Sequence, residues 1–172
     1  MNLNKFYEET AIMIPKRLFP QERDWTCSIA CLRSITSSLK NIGTECFIVE
    51  NYNLKPGPLY SKDIKELNIL KDFSVEFGCD LKKDYELDKL YSLLKDNYFV
   101  MVESMINYDH WLVLLSYFPN NSSNISDHQV LLYDPYFNEI KIYRAEEFGS
   151  MWISGEHYKN NIIKDFIAVK FN

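Results

Sequence analysis

The chain has 172 residues, of which 47% are hydrophobic, 15% aromatic and 25% charged. That is the size and apolar content of one packed domain, and it excludes an intrinsically disordered chain. A net charge of −5 gives no electrostatic ground for a nucleic-acid partner, and no apolar run reaches the ~20 residues needed to span a bilayer.

Residues 1–172 are read as a single domain with 1–16 as a lead-in. Met1 to Lys16 mixes Glu8, Glu9 and Pro15 into its apolar residues and does not read as a secretory signal, so the expected location is the cytoplasm. Ile12, Met13, Ile14, Leu18 and Phe19 are expected to pack on the domain. Pro15 and Pro20 punctuate this stretch up to Cys27; after it Ile29, Leu32 and Ile35 recur at helical spacing. A helix therefore starts beside Cys27, with Thr26 or Asp24 as its cap and Gly43 as its stop. A cysteine in a first helical turn feels the positive end of the dipole, which favours thiolate over thiol. Gln21, six residues upstream, can fold back beside the sulfur and offer its amide. Together they supply a nucleophile and a donor for the oxyanion that its attack creates.

Further along, Glu45 to Asn53 is a short helix and Lys55-Pro-Gly-Pro58 a turn. Ser61 caps a helix through Leu70. Phe73 to Asp80 shows no clear period and is ended by Gly78. Asp84 to Asp96 is an amphipathic helix with Leu87, Leu90, Tyr91 and Leu94 on one stripe, and with Asp84, Glu86 and Asp88 on its solvated face. From Tyr98 the period changes to that of strands: Tyr98 to Glu103, His110 to Phe118, Gln129 to Tyr133, and Glu139 to Tyr143. A polar loop, Pro119 to Asp127, joins the second to the third. Ala145 to Trp152 is a short helix, and Asp165 to Phe171 is the strand that closes the sheet. Helices followed by an antiparallel sheet give an α+β order.

His110 opens one strand, and Asp134-Pro135 ends the next. If the two strands are antiparallel, these side chains are neighbours. Each residue alone has a plainer reading: a core cysteine, a strand-end histidine bonded to a carbonyl, an Asp-Pro turn, an exposed glutamine. His128 and His157 are read as surface or strand-end residues. Trp25 and Trp111 are read as packing, with cleft lining as the alternative. Four cysteines (27, 31, 46 and 79) in a chain without a signal favour reduced thiols. Cys27 and Cys31 have no second pair at zinc-finger spacing, so no metal or cofactor is expected, and Cys31 is read as a core residue.

The pattern Gln21-x5-Cys27-x2-Ala30-Cys31-Leu32, then His110-Trp111, then Asp134-Pro135 resembles the C39 and C39-like cysteine peptidases of the papain-like superfamily. In layout the resemblance spans residues 17 to 171. It implies a papain-like α+β fold in which an N-terminal nucleophile helix packs on a C-terminal antiparallel sheet. It also implies Cys27 as nucleophile, His110 as general base, Asp134 as its orienter and Gln21 as oxyanion donor. The best-known members remove leader peptides from bacteriocin precursors and are usually fused to an ABC exporter. No exporter portion is expected in this chain, so any exporter or secretion partner is a separate polypeptide and the substrate is a peptide or protein. Two positions depart from the family, which usually has Gly where Ser28 and Asp109 stand. Ser28 is small; Asp109 puts a carboxylate beside the histidine, with consequences for substrate choice or pH optimum. A peptidase, a papain-like deamidase or acyl transferase, and an inert peptide-binding module all share this layout. The presence of all four residues favours an enzyme, because binding alone needs no thiolate.

Overall fold

The computed structural model describes residues 9–80, 87–105, 109–153 and 164–172. An antiparallel sheet of seven strands runs through the middle: β1 (Ala11–Ile12), β2 (Ser74–Phe77), β3 (Phe99–Ser104), β4 (His110–Phe118), β5 (Gln129–Asp134), β6 (Glu139–Arg144) and β7 (Phe166–Lys170). The α-helices among the described residues are α1 (Cys27–Thr36), α2 (Glu45–Asn51), α3 (Ser61–Leu67), α4 (Leu87–Lys95) and α5 (Ala145–Met151). Strand alternation assigns them to two faces. Val100, Val102, Leu112 and Leu114 enter a core shared with α4 and α5. Phe99, Met101, Trp111, Val113 and Leu115 enter another, under α1, α2 and α3. Burial on both faces is why His110 to Phe118 reads as an almost unbroken apolar run rather than an alternating one. The stripe Leu87, Leu90, Tyr91 and Leu94 is buried as expected, and Asp88 is exposed. Asp84, Glu86 and His157 lie outside the described residues.

The sheet order is β2-β7-β3-β4-β5-β6, with β1 paired to Ser116 and Tyr117 of β4. The C-terminal strand therefore does not close the sheet; it lies between β3 and β2, and the edge belongs to the stretch that showed no clear period. Local sequence does not encode this insertion. It depends on Gly78, where a Cβ would stand 2.5 Å from Asp165 Oδ1 and 2.8 Å from Phe166 N. In the lead-in, Ala11 is buried and Met13 packs partly inward, whereas Ile12 and Ile14 are exposed. Pairing with β4 imposes this alternation, while Leu18 and Phe19 are partly buried, so three of the five expected apolar residues pack.

Helix α1 stops at Thr36, well before Gly43. Its last turns hold hydroxyls that bond back to the helix, from Ser34 to Ala30 O at 2.9 Å and from Thr36 to Leu32 O at 2.8 Å. Beyond it, the Ser37 and Ser38 hydroxyls accept the backbone N–H groups of Arg17 and Lys16, so the chain leaves the helix to clamp the lead-in. Ser61 is the first residue of α3 rather than its cap. Tyr60 holds the cap position with its N–H on Asp63 Oδ2 at 2.8 Å, and Ser61 N–H donates to Asp165 Oδ2 at 2.9 Å. That helix ends at Leu67, where Asn68 turns left-handed (φ 57°). No helix among the described residues is long and apolar enough to cross a membrane.

Candidate active site

Antiparallel pairing of β4 with β5 brings the start of one strand to the end of the other. His110 is the first residue of β4 and Asp134 the last of β5, and His110 Nε2 lies 2.7 Å from Asp134 Oδ1. The same carboxylate oxygen accepts the Tyr136 backbone N–H at 2.8 Å, which fixes it at the turn. The Tyr136 ring meets the imidazole edge-on, with centroids 6.4 Å apart. Helix α1 packs on the sheet through Ile29, Leu32 and Ile35, and this sets its first residue, Cys27, at the same end. The Cys27 thiol is close enough to act on the imidazole, both as a hydrogen-bond partner and through its charge, and raises the His110 pKa. With Nε2 taken by Asp134, Nδ1 is the ring nitrogen left for the sulfur.

The electrostatics follow from this chain of contacts. Burial pulls the His110 pKa down. The hydrogen bonds to Asp134 and Cys27 and the charges on both outweigh burial and raise it to about 9. For Asp134, burial pushes upward, but the bond and charge of His110 and the backbone N–H donors hold it below the ordinary carboxylate value. The Cys31 thiol, one turn behind Cys27, is fully buried and its pKa is pushed well up by desolvation, then by the charges of Cys27 and Asp134. It is a core residue, as read from sequence. The four cysteines are all unpaired. Among the described residues no group of three His, Cys, Asp or Glu side chains is arranged to hold a metal ion.

Gln21 is anchored beside this group by its backbone, whose N–H donates to Pro135 O at 3.0 Å. Its side-chain Nε2 donates to Arg23 O at 2.8 Å, and its Oε1 is buried without a partner. An amide nitrogen has two hydrogens, so one donor remains. Thr26 occupies the cap position of α1 but does not cap it, in contrast to the expectation. Its hydroxyl lies instead between two acceptors, Glu45 Oε1 at 2.6 Å and Arg23 O at 2.9 Å, and accepts the Arg23 N–H at 3.1 Å. Asp24 makes no side-chain cap either. The first N–H groups of α1 are thus left uncapped at the sulfur.

The two departures from the family pattern differ in setting. Ser28 is buried with its Oγ unpartnered. Asp109 accepts a hydrogen bond from Tyr60 OH at 3.1 Å, and the neighbouring Trp111 Nε1 donates to Leu59 O at 2.7 Å. These two bonds pin the start of β4 to the segment before α3. Trp111 is therefore a packing residue; Trp25 is partly exposed, with the Arg23 guanidinium 6.0 Å from its ring centroid. His128 is at a strand end but not on the surface: it is buried, with Nδ1 on Tyr117 OH at 2.8 Å and Nε2 on Ser122 O at 2.7 Å.

Two contributors escaped the sequence reading. Tyr136 sits in a turn whose only local signal is Asp134-Pro135. Glu45 follows the cap Thr44 at the start of α2, where an acidic residue ordinarily faces water, yet it is fully buried.

The α+β domain thus presents a thiol, an imidazole and a carboxylate at one end of its sheet. No protein-family model matches the chain, and no curated protein matches it. Among solved structures, the peptidase domain of Streptococcus ComA, a bifunctional ABC transporter involved in a quorum-sensing pathway, superposes with a TM-score of 0.59 at 18% identity. The match covers 91% of this chain and 98% of that one. The chain thus has the fold of a C39 peptidase domain, in agreement with the resemblance carried by its motifs.

Proposed function

We propose that the protein is a papain-like cysteine peptidase that cuts a peptide bond through Cys27, His110 and Asp134, with Gln21 as oxyanion donor. The observation that carries this reading is the His110 ring held between the Cys27 thiol and the Asp134 carboxylate. Cys27, paired as a thiolate with the His110 imidazolium, adds to the carbonyl carbon as the carbonyl electron pair moves onto oxygen. The Cys27 backbone N–H and the remaining Gln21 amide hydrogen receive that oxyanion. Collapse of the adduct breaks the C–N bond, and the departing amine takes the proton from Nδ1. A water then gives a proton to Nδ1 and adds to the thioester; the sulfur leaves as thiolate, and a carboxylic acid is released. Throughout, Asp134 keeps the ring in the tautomer and orientation that point Nδ1 at the sulfur.

The substrate class that the C39 resemblance implies is a leader-bearing precursor peptide. Incubation of the protein with a synthetic leader-bearing precursor peptide that carries a double-glycine site, followed by mass spectrometry, tests the reading. Two fragments summing to the precursor plus water are expected, and none with Cys27→Ala. Turnover that survives Cys27→Ala refutes the scheme, and an uncut precursor carrying deamidated side chains replaces the peptidase with a deamidase.

A further inference from the structure

We infer that Glu45 is the positioning residue that holds the oxyanion donors in place, an inference that rests on the peptidase reading. Its side chain enters from the start of α2 and is fully buried. Both of its oxygens face the loop between Gln21 and Cys27. Oε2 accepts the Glu22 N–H at 3.0 Å; Oε1 accepts the Thr26 hydroxyl at 2.6 Å and the Glu22 N–H at 3.2 Å. Glu22 follows Gln21, and Thr26 precedes Cys27, so one carboxylate grips the loop beside both oxyanion donors.

The Thr26 hydroxyl makes the function specific. A threonine at the start of a helix ordinarily folds its hydroxyl over the first-turn N–H groups. Thr26 has φ −99° and ψ 23°, outside the extended capping geometry, and Glu45 Oε1 at 2.6 Å, together with the Arg23 backbone (O at 2.9 Å, N–H at 3.1 Å), holds its hydroxyl away from the helix. A capping hydroxyl would turn toward the Ser28 or Ile29 N–H and carry the residue that precedes Cys27 with it. Glu45 therefore helps to hold the backbone that presents the Cys27 N–H in its uncapped geometry. A purely structural role explains the carboxylate less well. Burying one is costly, and no cation pairs with this one among the described residues. An apolar side chain would fill the same volume without that cost. What the carboxylate adds is two acceptor oxygens aimed at two donors of a single loop.

Two reactions of the full chain separate positioning from stability. Alkylation of Cys27 by iodoacetamide needs the thiolate but no oxyanion hole; the p-nitrophenol burst from p-nitrophenyl acetate needs both. In Glu45→Ala and in Thr26→Val the burst rate constant is expected to fall about tenfold to hundredfold, short of or equal to the loss of a donor itself, while Cys27 alkylation stays near the wild-type rate. Thr26→Ser, which restores a hydroxyl, recovers most of the burst lost in Thr26→Val and supports the inference even if Glu45→Ala does not fold. A burst that is unchanged, that falls in step with alkylation, or that is lost equally in Thr26→Ser overturns it while leaving the peptidase reading intact. A wild-type protein with neither burst nor selective alkylation overturns both.

Discussion

His110 meets Asp134 through Nε2, at 2.7 Å, which leaves Nδ1 for Cys27. The contact is made possible by the β4–β5 pairing alone, since the two residues occupy the same end of adjacent antiparallel strands. Everything chemical about the site depends on which nitrogen that pairing leaves for the sulfur.

The first consequence is a pH profile. With His110 at about 9, kcat/KM is expected to stay high through neutral pH and to fall as the imidazolium loses its proton above that value. Asp134→Asn removes the charge and the fixed tautomer. Its alkaline limb should move to lower pH, and kcat should drop about 10²–10⁴-fold. An alkaline limb that stays in place in Asp134→Asn would show that another group titrates there.

The same shifts fix a stability profile. His110 has a folded value of about 9 against an ordinary 6.5, so its protonated form stabilises the fold fully below 6.5. That contribution is lost as pH rises from 6.5 to about 9. Asp134 is lowered, so its contribution is present above its ordinary value of 3.8 and disappears as pH falls through the folded value. Urea midpoints are therefore expected to decline between pH 6.5 and 9 in the wild type, and to decline less in His110→Ala.

Gln21 gives a separable effect. Its backbone bond to Pro135 O survives truncation, so Gln21→Ala should leave folding and KM largely unchanged. Loss of the side-chain donor should lower kcat about 10²–10³-fold. A rise in KM with kcat intact would instead assign Gln21 to substrate binding.

How much of this was legible in the sequence depends on the range of the information. The Cys27, His110 and Asp134 positions were readable because each marks the end of an element: a helix start, a strand start and a strand end. A two-strand pairing was the only tertiary assumption needed to join the last two. The uncapped start of α1 was not readable, since the Thr26 hydroxyl is held by the Arg23 backbone and by Glu45, nineteen residues further on. The place of β7 inside the sheet was hidden for the same reason: β2 and β7 are joined by pairing across almost a hundred residues, Ser74 with Lys170. The early end of α1 reflects a competition that periodicity ignores, between helical hydrogen bonds and the Ser37 and Ser38 hydroxyls that tie down Arg17 and Lys16.

The four thiols should react in a defined order. Cys31 is fully buried with its pKa pushed well up, and Cys79 is raised by desolvation. Cys46 is raised by its hydrogen bond to Glu50 and by that carboxylate's charge. Among the described residues, Cys27 is the cysteine that acts on a histidine, His110, whose pKa is raised to about 9. Timed iodoacetamide labelling at neutral pH, read by peptide mass spectrometry, should mark Cys27 first and Cys31 only after unfolding. Faster labelling of Cys46 or Cys79 would contradict the activation of Cys27 by His110.

Gly78 supplies the last test, on the scaffold rather than the chemistry. An added Cβ would collide with Asp165 Oδ1 at 2.5 Å and with the Phe166 backbone at 2.8 Å. Asp165 cannot simply step aside, because its Oδ2 accepts the Ser61 N–H that opens α3, and its Oδ1 accepts the Phe166 N–H that begins β7. Gly78→Ala is therefore expected to cost about 1–3 kcal/mol, the range for overpacking a filled interior. The loss should appear as a lower urea midpoint with an unchanged slope. Cys27 alkylation in the folded variant should stay near the wild-type rate, because the strain falls on the β2–β7 side and leaves the β4–β5 pair, which carries His110 and Asp134, in register.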